Sequence, residues 1–110
     1  MKILIINHYA GSTKHGMEYR PYYLAREWVK MGHEVMIIAA SHSHIRTLQP
    51  EMGDQDRLDE NIDGIHYRWH RTPPYMGNGL GRVRNIISFL WSLKKDSNTI
   101  TNIFKPNLVI

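Results

Sequence analysis

Apolar residues early in the chain come in short unbroken runs. Residues 3–6 and 35–40 are continuous and strand-length, the pattern of strands buried on both faces of a parallel sheet. They predict strands at 2–7 and 34–40. Between them the period changes. Met17, Pro21, Leu24, Ala25, Trp28 and Met31 recur at spacings of 3, 4 and 7, which is one face of a helix. Pro21 is tolerated only near a first turn, where no backbone donor is lost, so the helix starts at residue 17 or later. Gly32 is its expected stop. Strand, loop, helix, glycine and strand make a βαβ unit, with parallel strands and a right-handed crossover.

The pattern is weaker further on. Residues 41–61 are polar, then acidic, without periodicity, and read as a long loop. Ile62, Asp63, Gly64 and Ile65 read as a tight Asp-Gly turn. Ile65, Tyr67 and Trp69 alternate with His66, Arg68 and His70, predicting a strand over 65–71 with one wet face. Residues 72–81 are rich in proline and glycine. A helix follows over 82–95, with Val83, Ile86, Ile87, Leu90 and Leu93 as its core stripe. Phe89 and Trp91 widen its apolar arc to about 200°. Residues 107–110 start a fourth buried strand. The expected fold is α/β, with a Rossmann-like parallel sheet. Such a sheet normally continues with further βα units, so residues 1–110 read as an incomplete N-terminal Rossmann-like domain.

Composition narrows the class. The 110 residues are 42% hydrophobic and 22% charged, which suits one small globular domain and argues against disorder. Cysteine is absent, which removes disulfides and thiolate metal sites. No run approaches the roughly 18 apolar residues of a membrane span, and residues 2–9 lack a signal-peptide pattern. The expected location is cytoplasmic. Net charge is +4 but segregated. Residues 51–63 hold six acids against Arg57 alone, whereas residues 64–95 hold Arg68, Arg71, Arg82, Arg84, Lys94 and Lys95 and no acid. Such a basic stretch can meet phosphate, nucleic acid or anionic lipid; a solvated face beside an acidic loop is the plainer alternative.

Candidate chemistry is sparse. The loop over residues 8–16 lies between a parallel strand and a helix N-terminus, where open α/β sheets bind ligands and helix termini attract phosphate. Gly11 and Gly16 would allow close backbone approach, but the spacing is neither the dinucleotide fingerprint nor a P-loop. An ordinary βα loop is the competing reading. His42 and His44 alternate, and His66 and His70 lie roughly 13 Å apart on a strand, too far to share an ion; no metal is expected. There is no nucleophile elbow, and most acids sit in one loop. Glu18 and Glu27 share a helix with no evident partner. The second predicted helix joins a broad apolar arc to Arg82, Arg84, Lys94 and Lys95, the composition of a membrane-interface helix. A core helix covering the sheet or a further domain is the alternative. No nucleic-acid-binding motif is present.

Several segments carry a family resemblance. KILIINHY at residues 2–9, the loop with Gly11 and Gly16, and YYLAREWVKMGHEV at 22–35 resemble the start of family 4 retaining glycosyltransferases. NIDGI at 61–65, RTPPY at 71–75 and GNG at 77–79 resemble a branch of bacterial O-antigen and capsule sugar transferases that includes N-acetyl-fucosamine transferases. KPNLVI at 105–110 is similar to a family strand, with Asn107 in place of the usual aspartate. The resemblance spans the chain but only the first part of the family's first domain.

It implies a GT-B fold, of which this chain is the N-terminal, acceptor-side portion. The nucleotide-sugar site and the E-x7-E motif belong to a second domain; Glu51 and Asp59 are the nearest coincidence here. A family histidine would fall beyond Ile110. Gly11 and Gly16 are then the loop that approaches the donor diphosphate. Arg82, Arg84, Lys94 and Lys95 match a region that meets a membrane and a lipid-linked acceptor. The implied enzyme uses a nucleotide sugar and a polyprenyl-diphosphate acceptor, with no cofactor or metal, and sits peripherally at the inner membrane face. Residues 1–110 alone are expected to be inactive. A complete non-enzymatic α/β binding module and a truncated Rossmann nucleotide-binding enzyme of another class are the alternatives.

Overall fold

A computed structural model describes residues 1–12, 14–16, 19–42, 49–50, 52–73 and 79–110. Met17, Glu18, His44, Glu51, Tyr75, Gly77 and Asn78, named above, lie outside the described residues.

The chain forms a small α/β fold around one five-stranded sheet. Its elements are β1 (Lys2–Ile6), α1 (Arg20–Lys30), β2 (Glu34–Ala40), β3 (Arg57–Ile62), β4 (Ile65–His70), α2 (Leu80–Thr99), a π-helical segment (Ile100–Phe104) and β5 (Leu108–Val109). The strand order is β3-β4-β2-β1-β5. β1, β2, β4 and β5 run parallel, with Ile5 opposite Ile37 and Ile38 opposite Arg68. β3 is antiparallel to β4, so the sheet is mixed rather than all parallel.

Helices cover both faces, which is why β1 and β2 are apolar beyond their first residues, Lys2 and Glu34. Ile3, Ile5, Val35, Ile37, Tyr67 and Trp69 face α1. Leu4, Met36, Ile38 and Ala40 face α2 and the π-helical segment, against Phe89, Ile100 and Phe104.

The βαβ unit is as the pattern predicts. α1 has Pro21 in its first turn, and its end is a Schellman closure: Gly32 N–H donates to Val29 O at 3.0 Å and His33 N–H to Trp28 O at 3.0 Å. Gly32 sits at φ +93°, a conformation that glycine adopts without strain. The inward face differs from the predicted stripe. Pro21, Tyr22 and Ala25 are buried, with Trp28 and Val29 partly so, while Leu24 and Met31 point to water.

Four expectations are corrected. The strand expected to be buried at 107–110 is β5, an edge strand whose Leu108 and Val109 are exposed. The loop over 41–61 holds strand β3, hidden by its polar composition. The Asp-Gly turn joins it to β4, with positive φ at both Asp63 and Gly64, as a two-residue hairpin requires. The face of β4 expected to be wet is mostly dry: Arg68 and His70 are buried, because α2 crosses it and supplies a carboxylate, and only His66 is partly exposed. Finally, α2 turns Asn85, Phe89 and Asp96 inward. Val83, Ile87, Leu90 and Trp91, expected in the apolar arc, are about half exposed or more, and only Leu93 of the predicted stripe packs on that core.

Candidate functional site

The carboxyl ends of β1, β2 and β4 meet at one rim, and α2 begins there. Asn85 is fully buried and ties the loops together. Its amide donates to Pro73 O at 2.8 Å and reaches His42 O at 3.4 Å, while its oxygen accepts from His8 Nε2. One side chain thus touches the segments that follow β1, β2 and β4. Ser41 and Thr72 add a clasp between β2 and β4: Thr72 N–H donates to Ser41 Oγ at 2.9 Å and His42 N–H to Thr72 Oγ1 at 3.2 Å. Arg82 donates to the Tyr9 hydroxyl at 2.7 Å.

The glycine loop is firmly held. Gly16 takes φ +82° and its N–H donates to Ser12 O at 2.8 Å. Gly11 is buried, and its carbonyl accepts from the Tyr67 hydroxyl at 2.8 Å. Ser12 and His15 are buried together, Oγ to Nδ1 at 2.9 Å. Glu60 accepts from Trp69 Nε1 at 3.0 Å and from Lys14. Burial opposes its charge, but those two donors hold its carboxyl below the ordinary value. α1 starts at Arg20, four residues past Gly16, and Pro21 removes one of its terminal donors. Among the described residues of the loop, the N–H groups of Lys14, His15 and Gly16 are already donated to Ser12.

Beneath α2 lies a charge cluster that hydrophobic periodicity does not reveal. Asp96, nearly sealed, accepts from Arg57, from Arg68 NH1 at 3.1 Å and from His70 Nε2 at 3.0 Å. Arg68 also holds Asp59 at 2.7 Å. Burial alone would lower the Arg68 pKa, yet its two carboxylates raise it. The Asp59 carboxyl is opposed by burial but held low by Arg68 and His66. His70 is pushed down by burial and by Arg68 and Arg57, against the pull of Asp96. The signal was present in the sequence: a lone acid, Asp96, ends a basic stretch.

The four cations predicted on the second helix do not act together. Arg82 points to the rim. Lys94 stands over the Trp91 ring, 5.2 Å from its centroid. Arg84 and Lys95 line a cleft of about 600 Å³ that also includes Arg57, Arg71, Ser88 and Ser92. On the helix's other outward side, Val83, Ile87, Leu90 and Trp91 form an exposed apolar stripe.

Among the described residues, no three His, Asp or Glu side chains gather as metal ligands, and no helix is long and apolar enough to cross a membrane. No protein-family model matches the chain, and no curated protein matches its sequence.

Proposed function

We propose that this chain is the N-terminal, acceptor-side part of a GT-B retaining glycosyltransferase similar to family 4. The whole enzyme would move a sugar from a nucleotide donor to a polyprenyl-diphosphate-linked acceptor at the inner face of the cell membrane, in surface polysaccharide synthesis. The sequence resemblance described above motivates this reading. The observation that carries it is the position of Gly16: it lies at positive φ in the loop between β1 and α1, at the carboxyl rim where such sheets bind ligands. With its N–H already donated to Ser12, Gly16 serves by having no side chain, letting a donor diphosphate on a second domain come close.

α2 supplies the membrane contact. Its exposed stripe of Val83, Ile87, Leu90 and Trp91, with Lys94 beside Trp91, joins apolar surface to positive charge as an interfacial helix does.

The test is sugar transfer by the product of the whole coding region. Radiolabelled UDP- and GDP-sugars are offered with a polyprenyl-diphosphate-linked acceptor. Transfer with retained anomeric configuration is expected, and none from residues 1–110 alone. Turnover by residues 1–110 alone, or saturable NAD binding in place of nucleotide sugar, overturns the reading.

A further inference from the structure

The two outward sides of α2 differ in chemistry. One is the apolar stripe. The other carries Arg84, Ser88, Ser92 and Lys95, spaced by four, four and three residues, along one wall of the cleft. Arg57 and Arg71 enter the same cleft from the ends of β3 and β4.

Its charges do not cancel. Four cations line the cleft against two carboxylates, Asp56 and Asp96. Asp96 is turned inward and taken up by Arg57, Arg68 and His70. Arg71 is held by neutral acceptors, donating through Nε to Gln55 O at 2.8 Å and through its second nitrogen to Gly53 O. Its guanidinium is fixed in place, and among the described residues no ion pair takes up its charge. Arg84 and Lys95 are exposed and form no ion pair among the described residues. The serine hydroxyls sit between them on the helix.

We propose that this cleft binds a phosphate group. Arg71 and Arg84 supply forked donors, Lys95 a point charge, and Ser88 and Ser92 neutral hydroxyl donors. Guanidinium forks match the paired oxygens of a phosphate, and ammonium groups add charge without demanding geometry. Two surplus positive charges suit a phosphomonoester or diphosphate dianion better than a carboxylate, which brings one charge and two oxygens. The argument stands on the cleft itself and does not depend on sugar transfer. The same chemistry is offered by a free phosphate and by a lipid headgroup.

The experiment is titration of the chain with pyrophosphate, followed by calorimetry and phosphorus NMR, and by retention on phosphatidylcholine vesicles with and without phosphatidate. The key variant is R84Q/K95Q; both positions are exposed, so the fold should persist. R20Q/K30Q, on α1 across the sheet, makes the same change in net charge. Saturable pyrophosphate binding is expected, weakened about tenfold or more by R84Q/K95Q and left within about twofold by R20Q/K30Q. S88A/S92A should weaken it by a smaller factor. If phosphatidate-dependent retention is also lost in R84Q/K95Q and competed by pyrophosphate, the source includes a lipid headgroup. If retention is unchanged while pyrophosphate binding falls, the source is a free phosphate. Absence of both kinds of binding, or equal losses in the two double variants, overturns the proposal. None of these readouts involves sugar transfer, so failure of the transferase reading would leave them intact.

Discussion

Asp96 accepts a hydrogen bond from His70 across 3.0 Å, with both side chains almost wholly out of water. A helix carboxylate is thereby fixed to the inner face of a strand, and Arg68 and Arg57 converge on the same group. A buried charge with three donors is stable only while all are present.

Removing the carboxylate takes away one of the two acids that hold Arg68 and leaves buried His70 without its acceptor. D96A should therefore destabilise the fold by about 3–5 kcal/mol, measured as a shift in the urea midpoint. D96N, which keeps one acceptor, should lose less. An effect below about 0.5 kcal/mol for D96A would show that the cluster is not a structural anchor.

Acid should unfold the chain in two stages. His70 is held below its ordinary value of 6.5, so the unfolded chain takes up a proton that the fold resists. Stability is full above that value and falls as pH drops through and below it. Glu60 and Asp59 are held below their ordinary values of 4.5 and 3.8. Their contribution is present above those values and lost as pH falls through the lower folded ones. Melting temperatures from pH 8 down to about pH 3 should show both declines, and H70Q should remove only the upper one.

N85A cuts the tie among three loops. It leaves the Pro73 carbonyl without the donor it now has, at a cost of about 1–3 kcal/mol. Amide exchange should quicken at His42 and Thr72 more than at Ile37, and uniform quickening would contradict a local role.

Gly64 and Gly32 provide a matched pair. Both have positive φ, but a Cβ on Gly64 would also meet Val29 Cγ1 at 3.2 Å, whereas at Gly32 nothing lies within 4 Å. G64A should cost more than G32A, each by about 1–2 kcal/mol from the backbone alone. Equal thermal shifts would mean that Val29 gives way freely.

Trp91 is exposed by 58%, so W91E should leave the melting temperature within a few degrees of the parent. Retention on phosphatidylglycerol vesicles should fall by about tenfold. Unchanged retention would remove α2 from the membrane contact.

What was legible in the sequence was local. β1, β2, the Gly32 closure and the Asp63-Gly64 turn depend on neighbours within a few residues, and each follows from its own pattern. What was hidden depends on partners far away. On β3, residues 58, 60 and 62 share a face, and Glu60 interrupts an otherwise apolar row because Trp69 and Lys14 satisfy it. On α2, Asn85 and Asp96 lie on the buried side, so hydrophobic periodicity pointed to the wrong face. The strand alone does not show that Arg68 and His70 are buried, because the Asp96 that takes them up comes from α2, while Asp59 of β3 pairs with His66 and Arg68. The cleft shows the same limit: charge counting groups Arg71 with Arg84 and Lys95, but Arg57 and the two serines join them only through the fold.

The pairing of β5 with β1 sets an order of assembly. β3 and β4 meet across a two-residue turn, whereas β5 joins β1 at Leu108 opposite Ile3. The hairpin closes a loop of minimal entropy; the other contact must close nearly the whole chain. β5 is also short, with Leu108 and Val109 both exposed. It is thus the last strand to dock during folding and the first to fray, and its amides should exchange long before those of β2.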